Sequence, residues 1–171
     1  MSDTNPKNDV LDFPGEGNLK PSSGLNVVTI LTIIGSILGL VSSVWTFITA
    51  QKNYETLKET IESGKMNEAP AWMKSMMKPE MLEITRKAYE NKLPIMIVSL
   101  IGAALCLYGA LEMRKLKKQG YILWMAGEII PIIAMVFFVG MAAFSGLSLL
   151  GLVFPAIFII LYKKKKKELI Y

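Results

Sequence analysis

The 171-residue chain is 52% hydrophobic, carries a net charge of +5 and contains one cysteine and no histidine. The missing histidine removes Ser–His and Cys–His catalysis and histidine-based zinc sites, and a lone Cys106 permits no intrachain disulfide or thiolate cluster. Charges cluster and leave long apolar runs between them, so the sequence predicts a protein solvated largely by lipid. Eleven of the nineteen basic residues lie in the first 24 residues, in Arg114–Lys118 and in Lys163–Lys167. The last two clusters abut apolar spans, which points to a membrane surface and away from nucleic acid.

Residues 1–24 are rich in Asp, Asn, Pro, Gly and Ser and predict a disordered cytoplasmic tail. Its length and its four acids, Asp3, Asp9, Asp12 and Glu16, argue against a cleaved signal. The first span, Leu25–Ala50, is uncharged. Gly35 and Gly39 form a G-x-x-x-G pair flanked by Ser36, Ser42 and Ser43, a face on which helix backbones can approach closely.

The outer loop covers residues 51–92. Lys52–Ser63 has helix-forming composition, so the first helix is expected to run past the membrane until Gly64. Pro70 and Pro79 suit first helical positions, with Glu80 and Glu83 in a first turn. Two short amphipathic helices follow from this. The first would carry Trp72, Met73, Met76 and Met77 on one face, as a partner-docking surface or an interfacial belt. The second would run on through Met81, Leu82, Thr85, Ala88 and Tyr89, and Pro94 would open the second span.

The second span, Leu93–Leu111, carries its own stripe of small residues: Ser99, Gly102, Ala103, Cys106 and Ala110. With Gly35, Ser36, Gly39 and Ser43, residues Gly102 and Ala103 are predicted helix-packing positions, between spans or between copies. Tyr121–Tyr162 would measure roughly 63 Å as one helix, twice the hydrocarbon thickness, so it must fold back. The expected turn is Ala142–Gly146, giving a third span over 121–141 and a fourth over 147–162. Lys163, Lys164, Lys165, Lys166 and Lys167 then form a basic anchor in the C-terminal tail, residues 163–171.

Glu128 is the residue that points most directly to chemistry. It lies about 10 Å of helix beyond Tyr121, deep enough for an unsolvated carboxylate to be costly. Such residues face the bundle or a wet cavity. Pro131 has no N–H and deprives the Gly127 carbonyl of its helical partner, so Glu128, Gly127 and Pro131 form a candidate proton- or cation-binding group. The competing reading gives Glu128 a hydrogen bond to a Ser or Thr of another span, or lets it reach headgroup water on the cytoplasmic side. Pro155, with Gly151 four residues before it, repeats the kink at matching depth in the next span.

In outline, four spans with one larger outer loop resemble tetraspanins and claudins, but the loop lacks the cysteines whose disulfides those families need. The predicted fold is an all-α integral membrane protein, a four-transmembrane-helix bundle with short amphipathic helices between spans 1 and 2. The density of lysine and arginine beside the span ends places both termini in the cytoplasm of a bacterial inner membrane. The expected function is non-catalytic and cofactor-free. The chain is read as an accessory or structural subunit, acting on a membrane-protein partner or a second copy through helix faces and the outer loop. The alternative is a small proton- or cation-coupled transporter that uses Glu128, which a cavity around that residue would favour.

Overall fold

The computed structural model describes residues 21–64, 79–144 and 150–169, all of them helix or short connection. Helix α1 runs Ser23–Glu62, α2 Pro79–Glu90, α3 Lys92–Arg114, α4 Lys118–Phe138 and α5 Leu150–Lys165. Short 3-10 segments cover Met141–Phe144 and Lys166–Glu168.

Three helices, α1, α3 and α4, are long and apolar enough to cross a membrane. Large side chains such as Leu38, Trp45 and Phe137 point outward, as lipid contact requires. The fourth expected span is helical from Leu150, but α5 has sixteen residues and the last three are lysines. Its apolar part is about 20 Å long, short of a hydrocarbon core of about 30 Å. The expected residues 147–149 lie outside the described ones.

At 40 residues, α1 is about 60 Å long, twice the membrane's apolar thickness. Ser22 caps its start by accepting the Leu25 N–H at 3.2 Å. Its end comes at Ser63, followed by Gly64 at φ +69°. The stretch beyond Ala50 is held by polar pairs one turn apart, Gln51 to Glu55 and Lys58 to Glu62. There α2 lies against it through stacked rings, Tyr54 on Tyr89, with centroids 5.7 Å apart. The first loop helix expected from the sequence, with Trp72, Met73, Met76 and Met77, lies outside the described residues. Helix α3 begins at Lys92, so Pro94 falls inside its first turn, where a missing N–H costs nothing. Helix α4 ends at Phe138, three residues before the sequence reading ended it, because Gly140 turns the chain at φ +103°.

Helices α3 and α4 are the most extensively packed pair. Only Lys115, Leu116 and Lys117 separate them. The Lys117 N–H donates to the Glu112 carbonyl and the Leu116 N–H to that of Met113, the two bonds of a Schellman cap. The left-handed position is filled by Leu116 at φ +59°, where glycine is usual. Its side chain is buried in the core, which offsets a backbone cost of about 1–2 kcal/mol. Glu112, with 5% of its side chain exposed, binds Lys115 Nζ at 2.9 Å and Lys117 Nζ at 2.7 Å. Its hydrogen bond to Lys117 holds that ammonium above the ordinary lysine range.

Four glycines make the α3–α4 seam. A Cβ built on Gly109 would lie 2.6 Å from the Trp124 nitrogen and 2.7 Å from the Gly120 carbonyl. One on Gly127 would lie 2.6 Å from the Gly102 carbonyl and 2.7 Å from Cys106 Sγ. Gly102 faces Gly127, and Gly109 faces Gly120, at seven-residue spacing on both helices. Backbone meets backbone along two helical turns, the close approach that small residues permit between membrane helices.

The core sits at the end of the bundle that carries Ser22, the α3–α4 turn and the C-terminus of α5. Leu25, Val28, Met113, Leu116, Tyr121, Trp124 and Tyr162 pack together there.

Candidate functional site

One step deeper than this core, α1, α3, α4 and α5 diverge around a partly open cavity of about 410 Å³. The seam holds α3 and α4 together on one side. Opposite, α1 presents Thr32, Ser36, Gly39 and Ser43 at intervals of three and four residues, which places them on one helix face. Small side chains on that face leave the space unfilled. Pro155 and Phe158 of α5 complete the wall.

Glu128 opens into this cavity, half-buried. Both residues grouped with it, Gly127 and Pro131, also line it. The Gly127 carbonyl that Pro131 leaves without a helical donor is turned to α3: a Cβ on Gly102 would come within 2.8 Å of its oxygen. It is therefore pressed into the seam.

The partner of Glu128 is neither serine nor threonine. The Cys106 thiol donates to Glu128 Oε1 at 3.7 Å and to the Trp124 carbonyl at 3.6 Å. Cys106 is in the small-residue stripe read from the sequence, but nothing in its spacing identifies Glu128 as its neighbour. No ion pair to Glu128 is found among the described residues.

The packing candidates divide. Gly102 belongs to the seam. Gly35, Ser36, Gly39, Ser43 and Ala103 all line the cavity. A Cβ on Gly39 would sit 3.7 Å from that of Ala103, an ordinary contact, and one on Gly35 would meet nothing within 4 Å. The G-x-x-x-G pair thus borders open space, while the tight contact is made by Gly102, Gly109, Gly120 and Gly127. The seven-residue glycine period on two helices joined by three residues was the available signal.

Toward the termini the cavity ends at a hydrogen bond between Thr32 Oγ1 and the Tyr162 hydroxyl, 2.7 Å and buried. Tyr162 lies against Trp124 at 4.6 Å between centroids. Beside Tyr162 the buried Trp124 Nε1 has no hydrogen-bond partner among the described residues, and on α1 neither has the buried Asn26 Oδ1. Away from the termini Ser43 also lines a second cavity of about 130 Å³ between α1, α2 and α3. Lys92 stands in it with Nζ 4.8 Å from the ring of Tyr89 and 5.4 Å from that of Phe47.

The basic run is partly folded onto the protein. Lys165 Nζ makes a long contact of 3.5 Å to Ser22 Oγ, and Lys166 Nζ lies 5.2 Å from the Tyr121 ring. Lys163, Lys164 and Lys167 are exposed.

Among the described residues no three His, Cys, Asp or Glu side chains gather in a way that could hold a metal ion. The chain matches no known family, and no curated protein or solved structure is significantly similar to it. A functional reading therefore rests on the cavity itself.

Proposed function

We propose that this protein is a small, non-catalytic membrane carrier in which Glu128 holds an exchangeable proton or monovalent cation. The observation that carries this reading is the cavity around Glu128, a half-buried carboxyl with a weak thiol partner and no counter-charge among the described residues. A carboxyl kept for structure would be fully paired, because an unpaired one costs free energy at that depth. Two further features support the carrier reading. The cavity shares Ser43 with the second one, so the two spaces adjoin on the side away from the termini. On the other side it ends at the Thr32–Tyr162 hydrogen bond, where the adjoining Trp124 Nε1 is a buried donor unpaired among the described residues.

In this reading α5 crosses the membrane as the fourth span together with the apolar residues before it. Both termini face the cytoplasm, beside Arg114–Lys118 and the five lysines, in a bacterial inner membrane.

Proteoliposomes with an internal pH dye test the proposal. Under an imposed potential or sodium gradient the wild-type protein should move protons, and E128Q should abolish the movement at little change in melting temperature. Wild-type flux in E128Q, or no protein-dependent flux at all, contradicts a carrier role.

A second reading, an accessory subunit or homo-oligomer, draws on the outer face of α1. Leu31, Ile34, Leu38, Val41, Trp45 and Ile48 are exposed there at alternating steps of three and four, the spacing of a helix–helix seam. Crosslinking in native membranes through a cysteine at Leu38, in a Cys106→Ala background, should trap a partner if that face is covered by protein. A monomer that never crosslinks leaves the face to lipid.

A further inference from the structure

The donors and acceptors that line the Glu128 cavity restrict what it can hold. A hydroxyl has one proton to give. Thr32 Oγ1 gives its proton to the Val28 carbonyl at 3.0 Å, Ser36 Oγ to that of Thr32 at 2.8 Å, and Ser43 Oγ to that of Gly39 at 2.7 Å. With its proton spent on α1's own backbone, each of these hydroxyls offers the cavity only lone pairs. The single Cys106 thiol proton is likewise taken, shared between Glu128 Oε1 and the Trp124 carbonyl. Ser99 is the fourth hydroxyl of the wall, free to turn either way. Among the described lining residues there is no lysine, arginine, asparagine, glutamine or tryptophan. The cavity is thus a field of acceptors around one carboxyl, with Leu31, Pro155 and Phe158 as apolar wall.

Such a lining disfavours anions, which would meet the Glu128 carboxyl with Ser99 as the one hydroxyl whose proton is not spent on backbone, and it rewards a ligand that brings N–H groups and positive charge. At about 410 Å³ the space falls within the range of sites for drug-sized molecules, far larger than a bare ion fills.

We propose that the ligand of this cavity is a small lipophilic amine in its protonated form, donating N–H to Glu128 and to one hydroxyl of the α1 face while its apolar body lies against Leu31 and Phe158. The inference rests on the carrier reading, because it needs a Glu128 carboxyl that ligands can reach. Proton and amine would compete for the same carboxyl, and that competition would couple their movements. The other titratable side chains at the site are the Cys106 thiol of α3 and, behind Thr32, the Tyr162 phenol of α5; α1 contributes none among its lining residues.

Three compounds that share one fluorophore separate the possibilities. Dansylcadaverine carries a primary ammonium, dansylcholine a quaternary charge without N–H, and dansylamide neither. They are titrated by fluorescence against the full chain in phosphatidylcholine nanodiscs at neutral pH. Dansylcadaverine should saturate and bind at least about tenfold tighter than the other two, the worth of a charge-assisted hydrogen bond. E128Q should lose about that factor. Equal affinities for the three compounds, or undiminished amine binding in a folded E128Q, overturn the proposal. The ranking on wild-type protein decides the matter even if E128Q does not fold. Modification of Glu128 by dicyclohexylcarbodiimide, read by mass spectrometry without any amine, separates the two levels. Modification without the ranking removes the ligand class and leaves the carrier. No modification and no ranking removes both.

Discussion

Two faces of the same bundle use small residues for opposite ends. On the α3–α4 seam the missing side chains are replaced by backbone: Gly102 against Gly127 and Gly109 against Gly120, with no room for a Cβ. Around the α1 face the missing side chains are not replaced by backbone, and Gly35, Ser36, Gly39 and Ser43 border a cavity. Small residues permit close approach, but they enforce it only where both helices carry them in register. The seam has that reciprocity. The α1 face meets Ala103 at Gly39 and open space at Gly35.

The largest effect should come from placing one bulky side chain on each face. Gly120→Leu must push the two backbones apart at Met113 and Gly109, and a loss of about 3 kcal/mol or more is expected, enough to prevent folding. Gly35→Leu enters open space and should not destabilise the fold, since leucine favours the helix over glycine by up to about 1 kcal/mol. Thermal unfolding in detergent, followed by helical circular dichroism, compares the two. Equal damage from both would erase the distinction between seam and cavity.

A smaller effect should come from the plug that joins the two regions. Tyr162→Phe deletes the hydroxyl that meets Thr32 and should cost about 1 kcal/mol, and a double-mutant cycle with Thr32→Val should show that the two losses are shared. Additive losses would mean that the bond does not hold α5 to α1. The smallest effect, and of opposite sign, is expected from Gly39→Ala. The new methyl makes an ordinary contact with Ala103, and alanine favours the helix, so stability should rise by up to about 1 kcal/mol. A fall would mean that α1 and α3 pack more tightly than this geometry has them.

The helices were legible in the sequence because a membrane imposes length and apolarity together. Runs without charge gave α1 and α3, a run with the single charge of Glu128 gave α4, and the helical composition of Lys52–Ser63 foretold the extension of α1 to Glu62. Boundaries moved where one backbone conformation decided them. Gly140 ended α4 early, and Leu116 took a left-handed turn that composition does not announce. Glu128 was legible as a charge in an apolar run. Its neighbours were not, because the contact with Cys106 and the plug at Thr32 and Tyr162 depend on how four helices rotate about one another. The seam was missed for a related reason: a G-x-x-x-G pair within one helix drew attention, whereas the real contact needed a seven-residue period read jointly on two helices.

The central claim is that Glu128 stands in a cavity that exchanges with water. Infrared difference spectra of wild-type protein and E128Q, recorded in lipid as bulk pH is stepped, test it most directly. A protonated carboxyl band absent from E128Q, disappearing as pH rises and shifting promptly in heavy water, is the predicted result. A Glu128 band that ignores both bulk pH and isotope exchange would contradict it and leave Glu128 a sealed structural acid.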